Sequence, residues 1–541
     1  MDSQTIWYNH SMPIRLLRFT LTLILFLICF SACEPLPATS AAIPTYDPFV
    51  SLNGTAPGVT SEAGGTEASV QPTRTPGPTP TRAPMSVSLP TPRDPNASVV
   101  VPTPDVPRTL PTPRSQRDQY VVQAGDTIGS IAAKYGISPN ALMQANGLTE
   151  AAILNIGQSL SIPAPEAGLV GPSFKIIPDS ELVNGPAVTT FNMETFVQGI
   201  GGYLATYTED VNGETLTGTQ ILQRVATNYS VNPRLLLALL DYRSDWVSDP
   251  SPVEGDYPMG LKDPNYAGLY RQVEWTANEL NRGYYLWRAN AVNAWVLGDG
   301  SVVPVDPTIN AGTAGVQYFL AKLNNRATWE NDVSAFGIFQ KYYFMFGNPF
   351  DRAIEPLIPA GIVQPKMQLP FENGVAWAFT GGPHGGWDSG SAWGALDFGP
   401  LGTAGCTPSL DWAVAVADGL IVRALNGAVI QDLDNDGYEQ TGWTMLYMHI
   451  DSHERVESGT YLFAGEHVGH ASCEGGISNA THLHLARKYN GEWIAADGSL
   501  PFILDGWVSS GKGTEYDGFL TRGSQSIEAW DGVNDLNQIT R

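Results

Sequence analysis

Seven of the eight histidines fall between His384 and His484, and two of them stand one residue apart in Thr481-His482-Leu483-His484. Residues i and i+2 of a β-strand point to the same face. His482 and His484 are therefore expected to project together while Leu483 and Leu485 face a core. Two imidazoles side by side on a rigid strand can place a metal ligand next to a proton-transfer group. A surface strand with two solvated histidines gives the same local pattern. Further pieces supply partners. His384 lies in the Gly-rich turn of GGPHGGWDSGSAWGALDFGP, Asp397 in the apolar strand Ala395-Leu396-Asp397-Phe398, and His449 ends the strand Leu446-Tyr447-Met448-His449. A catalytic zinc site takes three protein ligands of N and O type and keeps a fourth position open for water. One carboxylate and four imidazoles meet that need with two histidines left over.

The elements that must hold these residues run from 369 to 518, where apolar stretches such as GVAWAFT, WAVAVADGLIVRAL and GWTMLYMHI alternate with Gly, Asp and Asn turns. That pattern predicts an antiparallel all-β domain. The constellation resembles the zinc endopeptidases of the lysostaphin and β-lytic type, over about Phe371 to Trp493, including the strand AVAVADG. The resemblance implies a peptidoglycan peptidase with His384, Asp397 and His484 as zinc ligands and His449 and His482 as the catalytic pair. Asp388 competes with Asp397, because many lysostaphin-type members place the aspartate four residues after the first histidine. Asp397 fits the longer β-lytic loop and sits in an apolar strand that can hold it rigidly. Cys406 and Cys473 are expected to form a disulfide in an oxidising compartment. His453, His467 and His470 match no family position and read as surface residues in turns. Asp432, Asp434 and Asp436 have the spacing of a calcium loop, but Trp443 occupies the twelfth position, so a solvated hairpin turn competes with a Ca2+ site.

Ahead of that domain, residues 173–365 predict a mainly α-helical domain, with helices over Glu194–Tyr207, Thr219–Tyr229, Pro233–Tyr242, Val273–Trp287 and Ala311–Leu323. The run ILQRVATNYSVNPRLLLALLDYRSDWV faintly resembles lysozyme-like lytic transglycosylases. That family's acid stands just before a serine, where this chain has Arg243, so a non-catalytic domain is expected; a second site using Asp241 or Asp245 is the alternative. Residues 119–163 resemble a LysM module, a small α+β unit of βααβ order, on the GDT, YGIS and NG pieces and the closing strand. The resemblance implies binding of N-acetylglucosamine glycan, above all peptidoglycan, with Gly125, Asp126, Thr127 and Asn146 as candidate contacts.

Composition frames the whole. At 541 residues the chain should hold several domains, and a net charge of -24 argues against a nucleic-acid partner. Arg15, Arg18, the apolar run Phe19–Phe30 and Ser31-Ala32-Cys33 have the layout of a secretory signal. The small residues before Cys33 resemble a lipobox, so lipidation of Cys33 and a membrane anchor are expected, with a plain cleaved signal as the alternative. Residues 34–118 are rich in Pro and Thr and read as a disordered linker; residues 519–541 read as a C-terminal tail. The expectation is an exported wall hydrolase of the cell envelope or extracellular space. A binding or regulatory protein with an inactive hydrolase domain is the competing reading.

Overall fold

The computed structural model describes residue 102 and residues 104–541, apart from 124–125, 150–151 and 166–167. The expected signal with Cys33, most of the linker and Gly125 lie outside the described residues. Among the described residues no helix is long and apolar enough to cross a membrane.

The first module is β1 (Asp118–Val121), α1 (Ile128–Lys134), α2 (Pro139–Asn146) and β2 (Ser159–Ile162), with β1 and β2 paired antiparallel. Thr127 caps α1: its Oγ1 accepts from Ser130 N at 3.0 Å while Ser130 Oγ accepts from Thr127 N at 2.9 Å. Ser138 caps α2, Pro139 sits where its missing N–H costs nothing, and Gly147 closes the helix in the left-handed region.

The middle domain is mainly helical: α3 (Met193–Ile200), α4 (Gly218–Tyr229), α5 (Pro233–Ser244), α6 (Leu269–Arg288), α7 (Ala311–Leu323), α8 (Arg326–Asp332) and α9 (Ile338–Phe346). Two hairpins interrupt it, β3 (Thr208–Val211) with β4 (Glu214–Thr217), and β5 (Ala294–Val296) with β6 (Val302–Pro304). The helix expected over Glu194–Tyr207 is shorter, because Gly201 at φ 78° ends α3. The crossing of α6 and α7 depends on glycine: a Cβ on Gly283 would lie 2.8 Å from Ala314 O, and one on Gly315 2.7 Å from Leu280 O. The linker does not stay free up to residue 118. Asp105 N donates to Thr308 O at 3.0 Å and the Arg108 guanidinium stacks over Trp287.

The C-terminal domain is antiparallel, as the turn-punctuated strands predict. Its main sheet has the order β13 (Tyr461–Leu462), β10 (Gly419–Leu425), β11 (Ala428–Asp432), β12 (Trp443–Met448), β15 (Leu483–Tyr489), β8 (Ala395–Pro400), β7 (Ala376–His384), β21 (Gln538–Thr540), with β16 (Glu492–Trp493) on β15. β9 (Trp412–Val414) pairs with β14 (His467–His470). β17 (Ile503–Leu504), β18 (Trp507–Gly511), β19 (Gly518–Arg522) and β20 (Gln525–Glu528) form a separate sheet. Residues 519–541 are therefore no tail. They supply β20 and the edge strand β21, whose Ile539 is buried against the core.

Alternation along the strands splits the side chains between two cores. Leu483 and Leu485 of β15, with Leu396 and Phe398 of β8, face the core of the β domain itself. Ala486, Ala395, Leu446 and Met448 face the other way, into the core of the helical domain. Polar ties follow the same seam. Tyr285 Oη accepts from Trp493 N at 2.9 Å, and Arg288 pairs with the buried Glu492 at 2.7 Å. Burial lifts the Glu492 carboxyl to about 7, with Arg288 opposing the rise. A carboxyl raised in the folded state contributes stability below its unfolded pKa and loses it as pH climbs through about 7. From an ordinary 4.5 the loss approaches roughly 3 kcal/mol at about 1.4 kcal/mol per tenfold step. Denaturant titrations should therefore show Glu492→Gln flattening the fall in stability between about pH 5 and 8; an unchanged slope would contradict this account of the seam.

Candidate metal centre

Four neighbouring strands carry the chemistry. Asp397 on β8 is the cross-strand partner of His484 on β15, and His484 in turn pairs with Met448 on β12, directly before His449. His384 ends β7, and the β7–β8 ladder slips twice, around Gly381, before reaching it. These slips re-aim the last residues of β7 toward β8. Gly381 also makes room, since a Cβ there would lie 2.6 Å from Asp397 Oδ2 and 3.0 Å from Asp397 Cβ.

The three side chains converge. His384 Nε2 lies 3.2 Å from Asp397 Oδ1, His484 Nδ1 lies 3.3 Å from the same oxygen, and the two ring nitrogens are 3.0 Å apart. The tautomers follow from the opposite ring edges. His384 Nδ1 faces Gly382 O at 2.8 Å and His484 Nε2 faces Gly386 O at 3.2 Å, so each of these nitrogens is the donor. Burial opposes a second proton on His384, but Asp397 raises the affinity of the ring for one. In the neutral forms the inward nitrogens are both lone pairs. They meet Asp397 Oδ1, a buried carboxylate oxygen with no hydrogen-bond donor among the described residues. Burial opposes charge on Asp397, but His384 and His482 outweigh it and hold the carboxyl well below its ordinary value. Two imidazole nitrogens and one carboxylate oxygen, all within 4.8 Å of one another, could hold a divalent cation of the zinc type.

His449 and His482 flank this centre with ring centroids 4.5 Å apart. His449 Nδ1 donates to Glu474 O at 3.0 Å and His482 Nδ1 to Ala480 O at 2.8 Å. Each leaves Nε2 without a hydrogen bond among the described residues, and His482 Nε2 lies 3.8 Å from Asp397 Oδ1. Burial, then the neighbouring His482 and His484, push His449 well below the ordinary histidine value, so it stands neutral. His449 is held at φ 67°, a strained position for a non-glycine residue. Its carbonyl is fixed there by Ser472, through the backbone N at 2.6 Å and Oγ at 3.0 Å. The Cys406–Cys473 disulfide ties down the chain immediately after Ser472.

The other residues singled out in the sequence separate clearly. Asp388 points away from the centre: its Oδ2 accepts from Tyr229 Oη on α4 at 3.0 Å. Arg282 of α6 donates to the adjacent Ser389 at 2.8 Å, so helices of the middle domain grip this loop. Asp241 is engaged structurally, accepting from Val247 N, Ser248 N and Ser248 Oγ and pairing with Lys341 at 3.0 Å; Asp245 is exposed. Asp432 is buried and accepts from the backbone of Asp434, Asn435 and Gly437. Burial, with Asp434 beside it, pushes its carboxyl up to about 7, and one carboxylate oxygen from each of Asp432, Asp434 and Asp436 lies within 4.8 Å of the others. In the LysM module, Asp126 accepts from Tyr120 Oη at 2.8 Å, and Asn146 ties α2 to Ser161 of β2 through both of its amide atoms. His470 is not a surface turn residue. It lies on β14, buried against Trp412 at 3.8 Å between ring centroids, while His467 stacks on the same indole at 4.1 Å.

Sequence reasoning missed Ser472, Glu474 and Tyr516. Tyr516 stacks on His384 with centroids 4.2 Å apart, and its backbone carbonyl accepts from Gly382 N at 2.7 Å. Its hydroxyl is pushed up to about 12 by burial, with Asp397 and Glu515 adding to it. No spacing rule could have found Tyr516. Ser472 and Glu474 flank Cys473, which was the available hint.

Comparison with known proteins agrees with this organisation. The family model described as "LasA, N-terminal domain" matches residues 175–359, and the LysM domain model matches residues 120–163. The helical segment thus has a relative other than the transglycosylases it faintly resembles. Protease LasA from one strain of Pseudomonas aeruginosa is 25% identical over 309 residues, 52% of this chain and 68% of the relative. The same protease from a second strain is 24% identical over 307 residues, again 52% and 68%. Solved structures that align include the M23 metalloprotease pseudoalterin from the deep sea, at 22% identity and TM-score 0.27, covering 34% of this chain and all of that one. The catalytic domain of lysostaphin from Staphylococcus simulans aligns at 24% identity and TM-score 0.17, covering 22% of this chain and 87% of its own. The sequence matches, rather than these partial overlays, carry the resemblance to lysostaphin-type zinc endopeptidases with a LysM module, and they bear it out.

Gly381→Ala should displace the Asp397 carboxylate without disturbing either core. Competition with a chelating dye should then show zinc affinity at least about tenfold weaker at nearly unchanged melting temperature. Wild-type affinity in that variant would contradict the convergence described above.

Proposed function

We propose that the protein is an exported zinc-dependent endopeptidase of peptidoglycan. The LysM module holds wall glycan, and the C-terminal domain hydrolyses a peptide bond of the stem or cross-bridge. In this reading the N-terminal segment directs export, and lipidation of Cys33 would keep the enzyme at the envelope. The supporting observation is Asp397 Oδ1, buried without a hydrogen-bond donor among the described residues and within 3.3 Å of His384 Nε2 and His484 Nδ1.

His384, Asp397 and His484 would hold the metal. Bound zinc supplies Lewis acidity: it lowers the pKa of a water and polarises the scissile carbonyl. Everything else falls to side chains. Neutral His449, anchored through Nδ1 on Glu474 O, offers Nε2 to take the proton of the attacking water. His482 is anchored on Ala480 O and is more open to solvent, its side chain 17% exposed. With a proton on Nε2 it would donate to the developing oxyanion, while the proton taken up by His449 would pass to the leaving amine. The two rings stand close enough to exchange these roles across one bound peptide.

The alternative, a wall-binding protein with an inactive hydrolase domain, would not need both anchored histidines beside an intact ligand set. His449→Ala and His482→Ala in the full chain should each lower release of new amino termini from purified walls by about 10²–10⁴-fold. Elemental analysis should find their zinc content unchanged. Wild-type turnover in His482→Ala would refute its role.

A further inference from the structure

A second recognition site lies at the seam between the domains. A cleft of about 480 Å3 opens between α3 and α4 on one side and the loop joining β11 to β12 on the other. Asn184, Asn192 and Gln223 line the first wall, and Tyr438 and Gln440 the second. Phe191 closes it, with one ring face covered by the Arg234 guanidinium at 4.6 Å.

The chemistry of the lining is selective. No lysine or arginine lines the cleft, so an anion has no partner there. Its one carboxylate is already engaged: Glu194 Oε2 accepts from Thr219 Oγ1, and Oε1 accepts from Gln198 Nε2 at 3.2 Å. That argues equally against a cation. What remains uncommitted is neutral amide. The Gln440 side chain makes no hydrogen bond among the described residues. Gln223 spends only Nε2, on Thr227 at 3.0 Å, and Asn192 spends only Oδ1, on Thr195 N at 2.9 Å. Uncommitted amide donors and acceptors beside aromatic rings match a ligand whose hydroxyl and acetamido groups both donate and accept and whose C–H face is apolar.

We propose that this cleft binds an N-acetylated sugar unit of a glycan strand, as a second glycan contact beyond the LysM module. The proposal rests on the peptidoglycan reading above and gives it a geometry. Tyr438 and Gln440 precede β12 and His449 follows it, so cleft and metal centre lie at opposite ends of a strand about 20 Å long. A strand of glycan seated in the cleft would thus lie within reach of a peptide entering the metal centre. The cleft needs both domains, which gives the helical domain a part in substrate capture.

The test is hydrogen–deuterium exchange of the full chain with chitotetraose, which carries no peptide. Exchange should slow in residues 217–229 and 433–442 as well as in the LysM residues 119–163. Gln223 is exposed and Gln440 half-buried, so the double variant Gln223→Ala/Gln440→Ala should fold normally. In it, half-protection of the cleft segments should require at least about tenfold more sugar, with LysM protection and cleavage of a short sugar-free peptide unchanged. Protection confined to the LysM residues in the wild type, or cleft protection unaltered in the double variant, would overturn the proposal. Absent peptide cleavage beside normal cleft protection would instead overturn the peptidase reading and leave the glycan site standing.

Discussion

Two imidazole nitrogens and one carboxylate oxygen share a buried space within about hydrogen-bond distance of one another. A buried carboxylate oxygen without a hydrogen-bond donor among the described residues is costly. The arrangement persists because the tautomers are fixed from outside, by Gly382 O and Gly386 O, and because β7, β8 and β15 are locked in register. A bound cation would take these atoms as ligands. Much of the β domain serves that geometry: the slips in β7, the absent side chain at Gly381, and the Tyr516 ring laid over His384.

The same sheet face that bears the metal centre continues into the core of the helical domain. His484 and Ala486 alternate with Leu483 and Leu485 on β15, so the ligand and the interdomain contact occupy one side. Trp387, two residues beyond Gly385, packs into the helical core, and Tyr229 holds Asp388 beside it. The helical domain therefore braces the loop that leaves His384. It uses its own carboxylates, such as Asp241, for structure rather than chemistry.

Legibility in the sequence followed the range of the forces involved. Period-two alternation placed His482 and His484 on one face, because strand geometry is local. Capping at Thr127 and Pro233 is likewise local, needing only a few neighbouring residues. The preference for Asp397 over Asp388 rests on its apolar strand together with the resemblance to the longer β-lytic loop. Long-range contacts were silent. Residues 519–541 look like a polar tail until β21 is seen beside β7, and His470 looks exposed until Trp412 covers it. The docking of Asp105 and Arg108 on the helical domain depends on partners some 180–200 residues away, beyond any composition rule.

The choice of carboxylate is the point on which the metal centre stands or falls. Zinc content of the purified full chain, measured by elemental mass spectrometry for Asp397→Ala and Asp388→Ala, tests it directly. The account predicts one zinc per chain retained in Asp388→Ala and lost in Asp397→Ala. Zinc kept by Asp397→Ala and lost from Asp388→Ala would contradict it.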